Sequence, residues 1–170
     1  DFKVTPADLE KGLTPKTRLL LLNSPSNPTG ACYTKEELDA IAQWAVERGV
    51  IVISDEIYDR LVYSGTPSLS LCSWWQKYPE NFVIVNGVAK TFAMTGWRVG
   101  YALAHPDLIR AMSRLQGQST SNVCSVSQKA AVAALNGEMG KVEEMRAAFE
   151  RRRNLAMDIV SSWPDVVCPR

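Results

Sequence analysis

The stretch from Phe82 to Leu103 narrows the choice of fold more than any other part of the chain. Phe82-Val-Ile-Val85 is short, β-branched and free of polar residues, the pattern of a strand buried on both faces. Val99 to Leu103 reads as a second strand, its larger residues alternating with Gly100 and Ala102. Parallel neighbours need a crossover of roughly a dozen residues or more, usually a helix, and only a short loop lies between these two. The second strand therefore runs antiparallel to the first if they are adjacent. Lys90 then sits just past one strand's carboxyl end, and Arg98 enters the returning strand at the same edge. Ligands of open α/β sheets bind at that edge. An amine and a guanidinium fixed there suit a ligand with an electrophilic carbon at one end and a phosphate at the other.

Two further apolar runs, Leu19-Leu-Leu-Leu22 and Val50-Ile-Val-Ile53, read as buried strands. The first leads into Asn23-Ser-Pro-Ser-Asn-Pro-Thr-Gly30, a loop by its density of turn residues. Thr34-Lys-Glu-Glu37 is a capping box, and Leu38, Ile41, Ala42 and Ala45 follow on one helical face until Gly49. Strand, helix and strand in that order make a right-handed parallel βαβ unit. Three strands thus end in polar groups on one rim: Asn27, then Asp55 with Tyr58, then Lys90, with Arg98 joining from the antiparallel strand. The fold class expected is α/β, a three-layer αβα arrangement around a mixed, mostly parallel sheet.

The remaining segments read as helices and loops. Thr5-Pro6 opens a short N-terminal helix, and residues 59–81 form a long crossover holding Trp74 and Trp75. Pro106 starts a helix with Leu108, Met112 and Leu115 on one side, and Gln116 to Asn122 reads as a polar break. Ser125 to Leu135 is a small-residue helix. Lys141 to Ser162 is the longest, with Val142, Met145, Phe149, Leu155 and Ile159 on a common face.

The segment Asn86-Gly-Val-Ala-Lys90-Thr-Phe-Ala-Met-Thr-Gly-Trp-Arg98-Val-Gly-Tyr101 resembles the lysine motif of the class I/II aminotransferases, enzymes of the aspartate aminotransferase fold that use pyridoxal 5'-phosphate (PLP). The resemblance implies that Lys90 bonds the cofactor's aldehyde and then moves the proton of the substrate's α carbon. It implies that Arg98 grips the phosphate, Asp55 pairs with the pyridine nitrogen, and Asn27 and Tyr58 hydrogen-bond the phenolic oxygen. Asn27 would also lie near the substrate carboxylate, and a cis bond is expected before Pro28. Many members carry serine at the positions of Gly87 and Ala89, so no serine contact to the phosphate is expected here.

The same resemblance implies that residues 1–140 form the second half of the PLP-binding large domain and residues 141–170 an interdomain helix leading to a small domain outside this sequence. It implies transfer of an amino group from an amino acid, aspartate being one possibility, to a 2-oxo acid. A homodimer with active sites at the subunit interface is expected of the whole protein, and no turnover of these 170 residues alone. The alternatives are a related PLP-dependent C–S lyase, a cyclopropane-forming synthase, or the PLP-sensing domain of a transcription regulator.

Composition narrows the field around this reading. With 46% hydrophobic and 22% charged residues and a net charge of +1, the chain has no broad basic field for nucleic acid or membrane. Cys32, Cys72, Cys124 and Cys168 form no C-x-x-C pair and have no histidine cluster beside them, which argues against a metal site and fits the reducing cytoplasm. Several conspicuous residues read as ordinary structure. His105 reads as a cap or surface residue, Arg151-Arg152-Arg153 as a solvated face, Trp74 and Trp75 as core or interface, and Trp97 as packing beneath the site.

Overall fold

The computed structural model describes residues 2–166, which leaves Cys168 outside the described residues. Four strands form one sheet in the order β1 (Leu19–Asn23), β2 (Ile51–Asp55), β3 (Phe82–Gly87) and β4 (Gly100–Leu103). The first three are parallel, with Asn23 beside Asp55 and Asp55 beside Val85. β4 returns antiparallel with Asn86 opposite Tyr101, as the short connection requires. Among the described residues six α-helices accompany the sheet: α1 (Pro6–Gly12), α2 (Lys35–Arg48), α3 (Cys72–Lys77), α4 (Pro106–Ser119), α5 (Ser125–Asn136) and α6 (Gly140–Val160). The result is an α/β fold, a mixed and mostly parallel sheet flanked by helices.

Most of the core lies between one sheet face and α2. Alternation along the strands sends Leu22, Val52, Phe82 and Ile84 to that face, where they meet Leu38, Ile41, Ala42 and Ala45 of α2. Trp74 and Trp75 of α3 pack against the same cluster, and Trp74 stacks on Tyr78 at 5.8 Å. α2 is held at both ends. The Thr34 hydroxyl accepts from the Glu37 amide, the Glu37 carboxylate accepts from the Thr34 amide, and Gly49 closes the helix at a left-handed φ of 63°. The other sheet face is less covered, and Leu21 remains 65% exposed.

The C-terminal helices depart from expectation in two places. α4 runs on to Ser119, through residues read as a polar break, because exposed polar side chains leave its main-chain ladder intact and Thr120 still donates to the Gln116 carbonyl. Leu108, Met112 and Leu115 share a side as expected, yet that side is exposed. On α6 only Val142 is buried, while Leu155 and Ile159 of the expected apolar face are exposed. His105 does cap α4, its ring nitrogen accepting from the Asp107 amide.

Candidate active site

Backbone and side-chain hydrogen bonds stitch the three parallel strand ends into one rim. Asn23 Nδ2 donates to the Asp55 carbonyl at 3.1 Å, and the Ser24 amide donates to the same oxygen at 3.2 Å. Asn23 Oδ1 in turn accepts from the Asn27 amide at 2.9 Å, which folds the loop back over the sheet end. The peptides before Pro25 and Pro28 are both cis. β2 continues its register into the next turn, where the Glu56 amide donates to the Val85 carbonyl at 2.9 Å. Asp55 Oδ1 accepts from the Ile57 amide, an Asx-type turn that presents Tyr58 to the rim. Glu56 points the other way and is 4% exposed, with one oxygen accepting from Ser54 Oγ and from the Leu71 amide. A buried carboxylate held by two donors anchors the long crossover beneath the rim.

Asn27, Tyr58 and Lys90 meet there. Asn27 Nδ2 donates to the Tyr58 hydroxyl at 3.1 Å, and Lys90 Nζ lies 5.5 Å from the Tyr58 ring centroid, within cation–π range. All three line one cavity of about 1030 Å³. The other two residues singled out from the sequence stand differently. Asp55 is half-buried at the end of β2 and does not line the cavity, although its Oδ1 is committed to the Ile57 amide. Arg98 is exposed, adopts a left-handed φ of 54°, and spends one donor on the Thr95 carbonyl at 3.1 Å. It immediately precedes Val99, whose carbonyl accepts from the Val88 amide, so its backbone stays at the Lys90 edge. Trp97 does not pack beneath the site; it is 44% exposed on a single 3-10 turn, Thr95–Trp97.

Gly87 is required by geometry. A Cβ there would stand 2.8 Å from the Val99 carbonyl oxygen and 3.1 Å from the Ile57 side chain. The close approach of β4 thus leaves no room for serine at this position.

Residues from the other end of the chain close the cavity. Met145, Phe149 and Arg153 lie four apart on α6 and line it together with Tyr63. Polar contacts bind this helix to the crossover. Glu150 accepts from the Ser64 amide at 2.6 Å, Arg146 donates to the Val62 carbonyl, and Arg153 donates to Ser64 Oγ while lying 5.2 Å from the Tyr63 ring centroid. Arg153 is therefore not part of a solvated face, unlike its exposed neighbours Arg151 and Arg152. The Ser64 amide and the Arg146 guanidinium hold the Glu150 carboxyl below its ordinary range, and burial pushes the Tyr63 hydroxyl up. A signal for this wall was present in the spacing of Met145, Phe149 and Arg153, but an apolar stripe at helical period reads equally well as core.

Among the described residues there is no cluster of three or more groups suited to a metal ion, and no helix long and apolar enough to cross a membrane. A family profile described as aminotransferase class I and II matches residues 1–168. An aspartate aminotransferase of Geobacillus stearothermophilus is 45% identical over 167 residues, and an asparagine–oxo-acid transaminase of Streptococcus mutans is 46% identical over 163. These alignments take in 98% and 96% of this chain but 42% of each relative, so the chain spans less than half the length of the curated proteins it matches. Among solved structures, the aspartate aminotransferase from Rhizobium meliloti superposes with a TM-score of 0.90 at 38% identity, over 95% of this chain and 40% of that one. An aromatic aminotransferase from Pyrococcus horikoshii gives 0.89 at 41% identity, over 94% and 43%.

Proposed function

The chain belongs to the class I and II aminotransferases, and from that premise we propose that it is part of a PLP-dependent enzyme that moves an amino group from an amino acid to a 2-oxo acid. The observation that carries the reading is the meeting of Asn27, Tyr58 and Lys90 on one cavity wall at the carboxyl ends of parallel strands. The residues present fit the cofactor. The Asn27–Tyr58 pair offers two polar groups to its phenolic oxygen, and Asp55, at the strand end just outside the cavity lining, would turn its carboxylate to the ring nitrogen. Arg98, with donors beyond the one given to Thr95, offers a planar fork to its phosphate.

When bound, the cofactor supplies an electron sink for the carbanion that develops at the substrate's α carbon. The protein's part is placement and proton transfer. Lys90 would hold the cofactor through its amine and, once freed by the substrate's amine, would take the proton from the substrate's α carbon and give it back at the other end of the transfer. Asn27 would also meet the substrate's carboxylate. Aspartate is a candidate donor, as the names of several relatives suggest.

Residues 1–140 are read as the second half of the cofactor-binding domain, and residues 141–170 as the helix leading to a second domain. A homodimer completes the sites, and the unpaired thiols Cys32, Cys72 and Cys124 are in keeping with work in the cytoplasm. The test uses the full-length protein. Transamination from a panel of amino donors and the visible band of bound PLP are followed in wild type and Lys90→Ala. Loss of the band and a fall in kcat of at least 10²- to 10⁴-fold, roughly the contribution of a positioned acid–base group, are expected of the variant. An unchanged band and rate would remove Lys90 from this role.

A further inference from the structure

Lys90 sits on a turn that the sheet does not hold. β3 ends at Gly87, the last ladder-like bond is from the Val88 amide to the Val99 carbonyl, and beyond it the main chain bonds only locally, Phe92 to Val88 and Ala93 to Lys90. Ala93 adopts a left-handed φ of 53°, unusual for a residue with a Cβ. Something else must set where the Lys90 amine points.

Among the described residues, one side-chain hydrogen bond joins residues 88–94 to another element: Thr91 Oγ1 donates to Asp59 Oδ1 at 3.3 Å. Thr91 is 5% exposed. Asp59 belongs to the turn that presents Tyr58, and its own amide is tied to the Glu56 carbonyl at 2.9 Å. The bond therefore links the two turns whose side chains face each other across the cavity, the Lys90 turn and the Tyr58 turn. Thr91 borders the main cavity on one side and a smaller one of about 130 Å³ on the other, so it forms part of the partition behind Lys90. Arg60, with Nε 3.7 Å from Asp59 Oδ2, and Tyr101, across the small cavity, are the other ionisable groups facing Asp59.

We propose that Thr91 and Asp59 are positioning residues for the reaction at Lys90, their hydrogen bond setting the Lys90 turn against the Tyr58 turn. At 3.3 Å the bond is long for a hydroxyl on a carboxylate, which leaves it room to shorten as the cavity fills. The inference rests on the reading of Lys90 given above, and its test separates the two.

The measurement is the rate constant at which the visible band grows when PLP is added to the full-length apoprotein, followed by kcat and KM of the loaded enzyme. Thr91→Val, which keeps shape and removes the donor, and Asp59→Ala, which removes the acceptor, should each slow band growth by about 3- to 10-fold, the effect of one hydrogen bond, and lower kcat similarly with KM for the amino donor unchanged. The double variant should be no slower than either single one, because the pair acts as a unit. Thr91→Ser, which restores the hydroxyl, should return wild-type rates. Unchanged rates in the single variants, or losses that add in the double one, would overturn the proposal. Lys90→Ala separates the failures. If it abolishes the band while Thr91→Val and Asp59→Ala match wild type, only the positioning role falls; if it leaves the band intact, the reading of Lys90 falls too.

Discussion

α2 and α6 both border the site, and different forces put them there. α2 buries Leu38, Ile41, Ala42, Trp44 and Ala45 against the sheet and is capped at both ends. α6 is longer, 21 residues against 14, yet buries only Val142 and meets the rest of the chain through Arg146, Glu150 and Arg153. The first helix is placed by apolar area removed from water, a term that counterions do not screen and protons do not cancel. The second is placed by charge-assisted hydrogen bonds between half-exposed groups, which ions screen and protons cancel. The rim that carries Asn27, Tyr58 and Lys90 stands on the first kind of support, and the facing wall of Met145, Phe149 and Arg153 on the second.

The largest effect that would test this contrast is Ile41→Ala. Ile41 is fully buried, so truncation should cost about 2–5 kcal/mol in denaturant unfolding, with no dependence on ionic strength. A cost well under 1 kcal/mol would mean that α2 is not held by its buried face. Next comes Thr34→Ala, which removes one half of the capping box and should cost about 1 kcal/mol, read as faster amide exchange confined to the first turn of α2.

The smallest effect on global stability belongs to α6 and is read through pH. The Glu143 carboxyl is held low by Arg146, and that of Glu150 by the Ser64 amide and then Arg146. Groups whose folded pKa is depressed add stability above the unfolded value, ordinarily 4.5, and lose it as pH falls through the folded one. Acidifying below about pH 4.5, or raising salt at neutral pH, should lower amide protection, relative to the intrinsic exchange rate at the same pH, in the first half of α6. α2 carries low-lying carboxyls of its own, Glu37 and Asp39, but keeps its buried face and should stay protected. Equal loss of protection in both helices would erase the distinction.

The parts legible in the sequence were those set by local chemistry. Apolar runs without polar interruption are strands, Thr34 with Glu37 starts a helix, and a loop too short for a crossover forces β4 to return antiparallel. The rim followed from these, because consecutive parallel strands deliver their ends to one edge. Trp97, Arg153 and the length of α4 were misjudged where the outcome turned on a distant partner or on none. Trp97 met no core, Arg153 met Tyr63 and Ser64, and α4 needed only its own ladder to outlast its polar residues.

By itself, then, the order of residues determined which segments are strands, which way each runs, and that Asn27, Asp55, Tyr58, Lys90 and Arg98 belong to one edge of a sheet. Periodicity and chain length act over a few residues, so they can be read without knowing what lies opposite. Only the tertiary structure decided which of those five face a common cavity, that Gly87 must stay bare beneath Val99, and that Thr91 reaches Asp59. These depend on residues 12 to 32 positions apart coming within a few ångströms, a matter of packing that no local pattern encodes.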